Sequence, residues 1–133
     1  MTPSAGPITE TGRHRVAVYG TLKQGERNHS LLRDAEFVGV GQLDNIVLYD
    51  LGPYPGARLE PSRGVEIEVY GVTASQFDRL DDLEGINPRA RFQGLYHRRV
   101  LSTALGPAWV YLYNHSVRGC ARIEVGGWSA ADS

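Results

Sequence analysis

The hydrophobic period of the chain switches from two to about 3.6 at Thr73, and this switch restricts the folds open to it. Upstream, residues 64–72 alternate. Val65, Ile67 and Val69 share one face, and Glu66, Glu68 and Tyr70 share the other. That pattern belongs to a strand with one face against a core. Downstream, residues 73–83 read as an amphipathic helix with Phe77 and Leu80 on its buried stripe and Leu83 beside it. Thr73 and Gln76 have the capping-box spacing, and Val72 and Phe77 hold the hydrophobic-staple positions. Gly85 stands where a helix can end on a residue of positive φ. One weaker helical window follows Asn28, its candidate N-cap, to about Arg33.

The remaining segments read as strands. Residues 15–19, 36–43, 46–49, 96–102 and 108–113 are apolar or β-favouring. The Leu51-Gly-Pro-Tyr-Pro-Gly56 run reads as a turn. Gly39 and Gly41 inside a strand mark a bulge or a tight bend. Many strands and one strong helix predict an α+β fold on a curled or barrel-like sheet. The predicted domain spans residues 14–117. Residues 1–13 form a mobile lead-in, and residues 118–133 a mostly irregular tail.

Composition removes several function classes. Lys and Arg number 14 against 15 Asp and Glu, a formal net charge of −1. Such a balance gives no electrostatic reason to expect a nucleic-acid partner. No apolar run approaches the ~20 residues of a membrane helix, and residues 1–12 lack the apolar core of a signal peptide. Cys120, the lone cysteine, can form no internal disulfide, which fits a reducing compartment. A cytoplasmic protein without a membrane partner is the expectation. His14, His29, His97 and His115 show no metal-ligand spacing, so no metal site is predicted. No Gly-x-Ser-x-Gly elbow is present, and Cys120 has no Cys-x-x-Cys partner.

Two features can carry chemistry. Glu84 lies seven residues after Phe77 and four after Leu80, on the buried stripe of the helix. An inward carboxylate loses hydration and its pKa rises, which suits it to move protons near neutral pH. The bland alternative is a solvated residue at a frayed helix end. The second feature is the strand exit Tyr19-Gly20-Thr21-Leu22, where a glycine lets backbone N–H groups approach a ligand. It lacks the spacing of a phosphate loop and, taken alone, could be a plain turn.

Residues 19–32, Tyr-Gly-Thr-Leu-Lys-Gln-Gly-Glu-Arg-Asn-His-Ser-Leu-Leu, resemble the signature of the γ-glutamylcyclotransferase-like family, which includes the AIG2-like proteins and γ-glutamylamine cyclotransferases. Tyr54-Pro-Gly56, residues 65–72, Leu80-Asp-Asp-Leu-Glu-Gly85, Tyr96-His-Arg98 and Ala108-Trp-Val-Tyr111 follow in the family's order. Together they cover about residues 16–113. The resemblance implies a small mixed β-barrel with a few flanking helices. It implies Glu84 as catalytic acid/base and Tyr19, Gly20, Thr21 and Leu22 as the substrate cradle, with Tyr96 near the pocket. Arg98 is expected to support the sheet, and Asp81 either the fold or a solvated helix end. Tyr111 and Tyr113, on one strand face with Trp109, are expected to pack, and His29 to make a structural hydrogen bond. The Arg-rich residues 86–94 depart from many relatives and bear on substrate identity.

The implied reaction is intramolecular. The α-amine of a small-molecule γ-glutamyl substrate attacks its own γ-carbonyl, giving 5-oxoproline and a free amine, and requires no cofactor. The amine is open among an amino acid, a polyamine, a lysine side chain and a γ-glutamyl-protected intermediate. An amidase in which Glu84 activates water, or a non-catalytic binding module, are the alternatives.

Overall fold

A computed structural model describes residues 7–132. Its elements run β1 (His14–Val18), β2 (Glu36–Leu43), β3 (Ile46–Asp50), β4 (Pro55–Leu59), β5 (Val65–Val72), α1 (Ala74–Leu83), β6 (Tyr96–Leu101), β7 (Ala108–Tyr113) and β8 (Ala121–Ile123). A five-stranded sheet has the order β2-β5-β1-β7-β6, and a three-stranded sheet the order β4-β3-β8. All pairings are antiparallel except β1 with β7, which is parallel. The α+β expectation therefore holds, but the strands form two sheets that do not close into a barrel.

β1 is the middle strand of the larger sheet, and alternation sorts its residues into two cores. Ala17 and Tyr19 point toward Ile46, Leu48, Ala57 and Ile67, between the two sheets. Val16 and Val18 point the other way, toward Phe77 and Leu80 of α1. A strand covered on both faces reads as an unbroken apolar run, which is what residues 16–19 are. The period-2 reading of β5 holds: Val65, Ile67 and Val69 face the inter-sheet core, while Tyr70 and Val72 face α1.

The capping box of α1 forms as its spacing predicts. Gln76 N donates to Thr73 Oγ1 at 3.2 Å, and Thr73 N donates to Gln76 Oε1 at 2.9 Å. The window after Asn28 yields only a 3₁₀ turn, His29–Leu32. Asn28 makes no side-chain cap bond there because its amide serves Thr21. The bulge in β2 falls between Phe37 and Gly39, where the register with β5 shifts. A Cβ on Gly39 would lie 3.2 Å from Leu105.

Two strands escaped the sequence reading. β4 begins inside the presumed turn, because Pro55 and Gly56 disguise it. Gly56 passes so close to Tyr113 that a Cβ would lie 2.7 Å from that ring, so bulk is excluded there. The presumed irregular tail supplies β8 and then buries Trp128, only 2% exposed, in the inter-sheet core. Of the presumed lead-in, residues 1–6 lie outside the described residues. Residues 7–13 form a turn tied to β1 by Thr9 N to Arg13 O (2.7 Å) and Arg15 N to Pro7 O (2.7 Å).

Trp128→Ala removes the largest fully buried side chain of the inter-sheet core. The expected loss is about 3–5 kcal/mol, the usual scale for Trp truncation in a core. Urea unfolding of parent and variant measures it. A loss below about 1 kcal/mol would show that the C-terminal segment is not part of the core.

Candidate active site

The chain after β1 turns sharply and folds back on itself. Asn28 holds the turn at both ends of Thr21: its N–H donates to Thr21 O at 2.9 Å, and its side-chain amide donates to Thr21 Oγ1 at 3.0 Å. His29 Nδ1 lies 2.9 Å from Leu22 O, the structural role expected of it. Lys23 N donates to Gly20 O. These bonds use the carbonyls of the turn. No backbone or side-chain acceptor among the described residues takes the N–H groups of Gly20, Thr21 or Leu22. All three residues are buried, so three unclaimed donors border a cavity. Such donors carry a free-energy cost unless something accepts from them.

Gly20 is glycine for a reason the sequence does not display. It is not among the positive-φ residues. A Cβ there would instead lie 2.8 Å from the ring carbons of Pro55. The close approach is between the turn and the first residue of β4, and it brings two walls of the cavity together.

The third wall is the end of α1. Glu84 is its C-cap, and the helix closes with the paired bonds of a Schellman motif. Ile86 N donates to Asp81 O at 3.0 Å and Gly85 N to Asp82 O at 3.2 Å, with Gly85 at φ +65°. The following chain returns and Leu95 N donates to Gly85 O. Gly94 makes that return possible, since a Cβ on it would fall on the Gly85 carbonyl oxygen. The geometry fixes the Glu84 backbone and directs its side chain into the cavity.

The cavity encloses about 170 Å³ and is bordered by the Tyr19–Leu22 turn, Tyr54, Glu84, Leu95, Tyr96 and Tyr111, with Arg27, Asn28, Pro55 and Leu83 completing its rim. Tyr19, Gly20, Thr21, Leu22, Glu84 and Tyr96, the residues expected from the sequence, thus meet in one place. The tyrosine hydroxyls are mostly committed elsewhere. Tyr19 donates to Tyr111 O at 2.6 Å and accepts from Ala57 N, while Tyr96 donates to Pro55 O at 2.6 Å. They act as walls tied to the backbone. Burial, reinforced by the nearby Glu84 charge, pushes both hydroxyls well above their ordinary pKa, so both stay neutral.

Glu84 makes no side-chain hydrogen bond or ion pair among the described residues. Loss of hydration, with a smaller contribution from the neighbouring Asp81 carboxylate, raises its pKa from 4.5 to about 7. The residue as a whole is half-buried and lines the cavity. At neutral pH both of its protonation states are populated.

Asp81, one turn earlier on α1, is neither solvated nor a simple helix-end charge. Arg98 Nε donates to it at 3.0 Å and Tyr111 OH at 2.7 Å. The Arg98 guanidinium lies over Phe77 (4.1 Å) and Trp109 (4.3 Å). Arg98 therefore links β6 to the helix that carries Glu84. Tyr111, expected only to pack, borders the cavity as well. Its signal was present: a Tyr on the sheet face that a helix covers must find a partner for its hydroxyl.

The raised pKa has a consequence for stability. The folded chain binds a proton at Glu84 more tightly than the unfolded chain does. Stability is therefore lost as pH rises from about 4.5 through about 7, and the loss is complete above that range. Glu84→Gln removes this dependence. The midpoint of thermal unfolding of the variant, relative to the parent, should increase between pH 5 and pH 8. A difference that does not change with pH would mean that Glu84 is hydrated in the folded chain.

With this geometry in view, the relatives are informative. The sequence model of the family described as gamma-glutamyl cyclotransferase, AIG2-like, matches residues 16–130. The gamma-glutamylcyclotransferase family protein YtfP of Escherichia coli is 38% identical over 119 residues, 89% of this chain and 98% of its own. The solution NMR structure of ytfP superposes with a TM-score of 0.67, at 37% identity and covering 90% and 99% of the two chains. A crystal structure of an uncharacterized Pyrococcus horikoshii protein gives 0.68 at 29% identity, covering 84% and 86%. An aig2-like protein from Mus musculus gives 0.73 at 23% identity and 88% coverage of each chain, a likeness of fold. This chain belongs to the gamma-glutamyl cyclotransferase, AIG2-like family.

Proposed function

We propose that the protein is a γ-glutamyl cyclotransferase that releases 5-oxoproline and a free amine from a γ-glutamyl amine or γ-glutamyl amino acid. One observation carries the reading. A desolvated carboxylate titrating near neutrality shares a cavity with a turn of unclaimed backbone N–H groups. The first can move a proton, and the second can hold negative charge. The family's name agrees with this chemistry.

The ionised Glu84 takes one proton from the substrate α-ammonium. The freed lone pair attacks the γ-carbonyl carbon, and the carbonyl π electrons move to oxygen. The N–H groups of Gly20, Thr21 and Leu22 hold the glutamyl end, through its α-carboxylate or through that oxyanion. Protonated Glu84 then donates to the departing nitrogen, which leaves with the electrons of its bond to carbon. The ring nitrogen loses its second proton as it becomes an amide, to Glu84 and from there to water. Nucleophile and electrophile belong to one molecule, so the enzyme's largest contribution is to hold the chain curled. Tyr19 and Tyr96 give the cavity its shape and keep water from hydrating the carboxylate.

The test is Glu84→Gln, which keeps size and cannot exchange protons near neutral pH. 5-Oxoproline formation should fall by about 10²–10⁴-fold, the usual scale for acid–base catalysis, while ligand affinity falls much less. Chromatography of the parent's products separates the chemistries, since cyclisation yields 5-oxoproline and hydrolysis yields free glutamate. Undiminished turnover in the folded variant would remove Glu84 from the mechanism.

A further inference from the structure

Among the described residues bordering the cavity, Arg27 and Glu84 alone carry formal charge. Glu84 is accounted for by proton transfer. Arg27 is not. It lies at the rim, exposed, at the far end of the turn that begins with Gly20. One guanidinium nitrogen, Nη1, donates to Pro53 O at 2.6 Å. That bond anchors the group beside Tyr54, which also lines the cavity. No acidic side chain pairs with it among the described residues. A guanidinium has five donors in a fixed fork, so most remain available to an incoming carboxylate.

We infer that the leaving amine carries a carboxylate, as in a γ-glutamyl amino acid, and that Arg27 receives it. The inference rests on the cyclotransferase reading above. In that reading the Gly20–Leu22 turn holds the glutamyl end within the cavity, and the scissile bond lies beside Glu84. The turn is buried, so the leaving group extends toward the more exposed part of the lining, where Arg27 and Leu83 are exposed and Tyr54 and Leu95 half-buried. The aliphatic pair offers a surface for an apolar amino-acid side chain. A polyamine would find the opposite of what it needs there. Its distal ammonium would face the Arg27 charge, and Asp81, the carboxylate beside Glu84, is already taken by Arg98 and Tyr111. Holding such an ammonium against Glu84 would favour the ionised carboxylate and deprive the reaction of its acid.

The experiment compares γ-glutamyl-leucine with γ-glutamyl-isoamylamide, which differs only in lacking the leucine carboxylate, and with γ-glutamyl-putrescine. The readouts are 5-oxoproline formation and calorimetric affinity, with parent, Arg27→Met and Arg27→Lys proteins. The parent should favour the leucine compound over the isoamylamide by roughly tenfold or more in kcat/KM, as a charge-assisted hydrogen bond affords, and should use the putrescine compound least. Arg27→Met should erase the preference by losing activity on the leucine compound alone, and Arg27→Lys should restore part of it. Equal use of leucine and isoamyl compounds by the parent would overturn the inference. So would equal losses on both in Arg27→Met, because Arg27 would then hold the glutamyl end. Should no compound yield 5-oxoproline, the cyclotransferase reading fails separately. The affinities of the same pair then decide the role of Arg27, with equal binding counting against it.

Discussion

The cavity depends on how the one α-helix ends. A helix terminus leaves carbonyls without partners, and here the Schellman bonds at Asp81 and Asp82 satisfy them over a left-handed Gly85. The closure stops the helix one residue after Leu83 and leaves Glu84 as its C-cap. Gly94 then lets the returning chain run against the Gly85 carbonyl, and Leu95 bonds to it. The result is a carboxylate on a rigid backbone, between a helix end and the start of β6. With the return blocked, Glu84 would turn to water, and its pKa would fall toward the ordinary range.

The opposite wall is built by similar close approaches. Gly20 lies against the Pro55 ring and Gly56 against Tyr113, so the start of β4 packs closely on the turn after β1 and on β7. Tyr19 and Tyr96 use their hydroxyls to tie these segments together, one through Tyr111 O and Ala57 N, the other through Pro55 O. The hydroxyls of Tyr19 and Tyr96 are therefore paired within the protein. Among the described residues lining the cavity, the three N–H groups of the turn and the Glu84 carboxylate keep unspent hydrogen-bonding capacity. Where a structure leaves buried polar groups without partners, a ligand is the usual explanation.

Much of this is legible in the sequence. The capping box, the staple and Gly85 fixed both ends of α1, and the wheel position of Glu84 followed from Phe77 and Leu80. Strand alternation in β5 was equally plain. What stayed hidden depended on contacts between distant segments. Pro55 and Gly56 look like turn residues because nothing local says that Tyr113 will crowd them. Trp128 sits in a polar, glycine-rich tail, and only the inter-sheet space explains its burial. Gly20 reads as a glycine that lets a ligand approach the backbone, and the neighbour that requires it is the Pro55 ring, 35 residues on. Asp81 stays open in the sequence between supporting the fold and a solvated helix end, since its partners Arg98 and Tyr111 lie 17 and 30 residues away. Of the small mixed β-barrel implied by the resemblance, the mixed α+β fold is found, with the strands in two sheets that share a core and do not close.

The central claim is that the fold desolvates Glu84 enough to bring its titration to neutrality, and one measurement addresses it directly. The side-chain carboxyl carbon of Glu84 can be followed by NMR from pH 4 to pH 9, with its resonance assigned by its absence in Glu84→Gln. The account gives a midpoint of about 7, moving downward in Asp81→Asn as the neighbouring charge is removed. A midpoint near 4.5, unmoved by Asp81→Asn, would mean a hydrated carboxylate and would contradict the account.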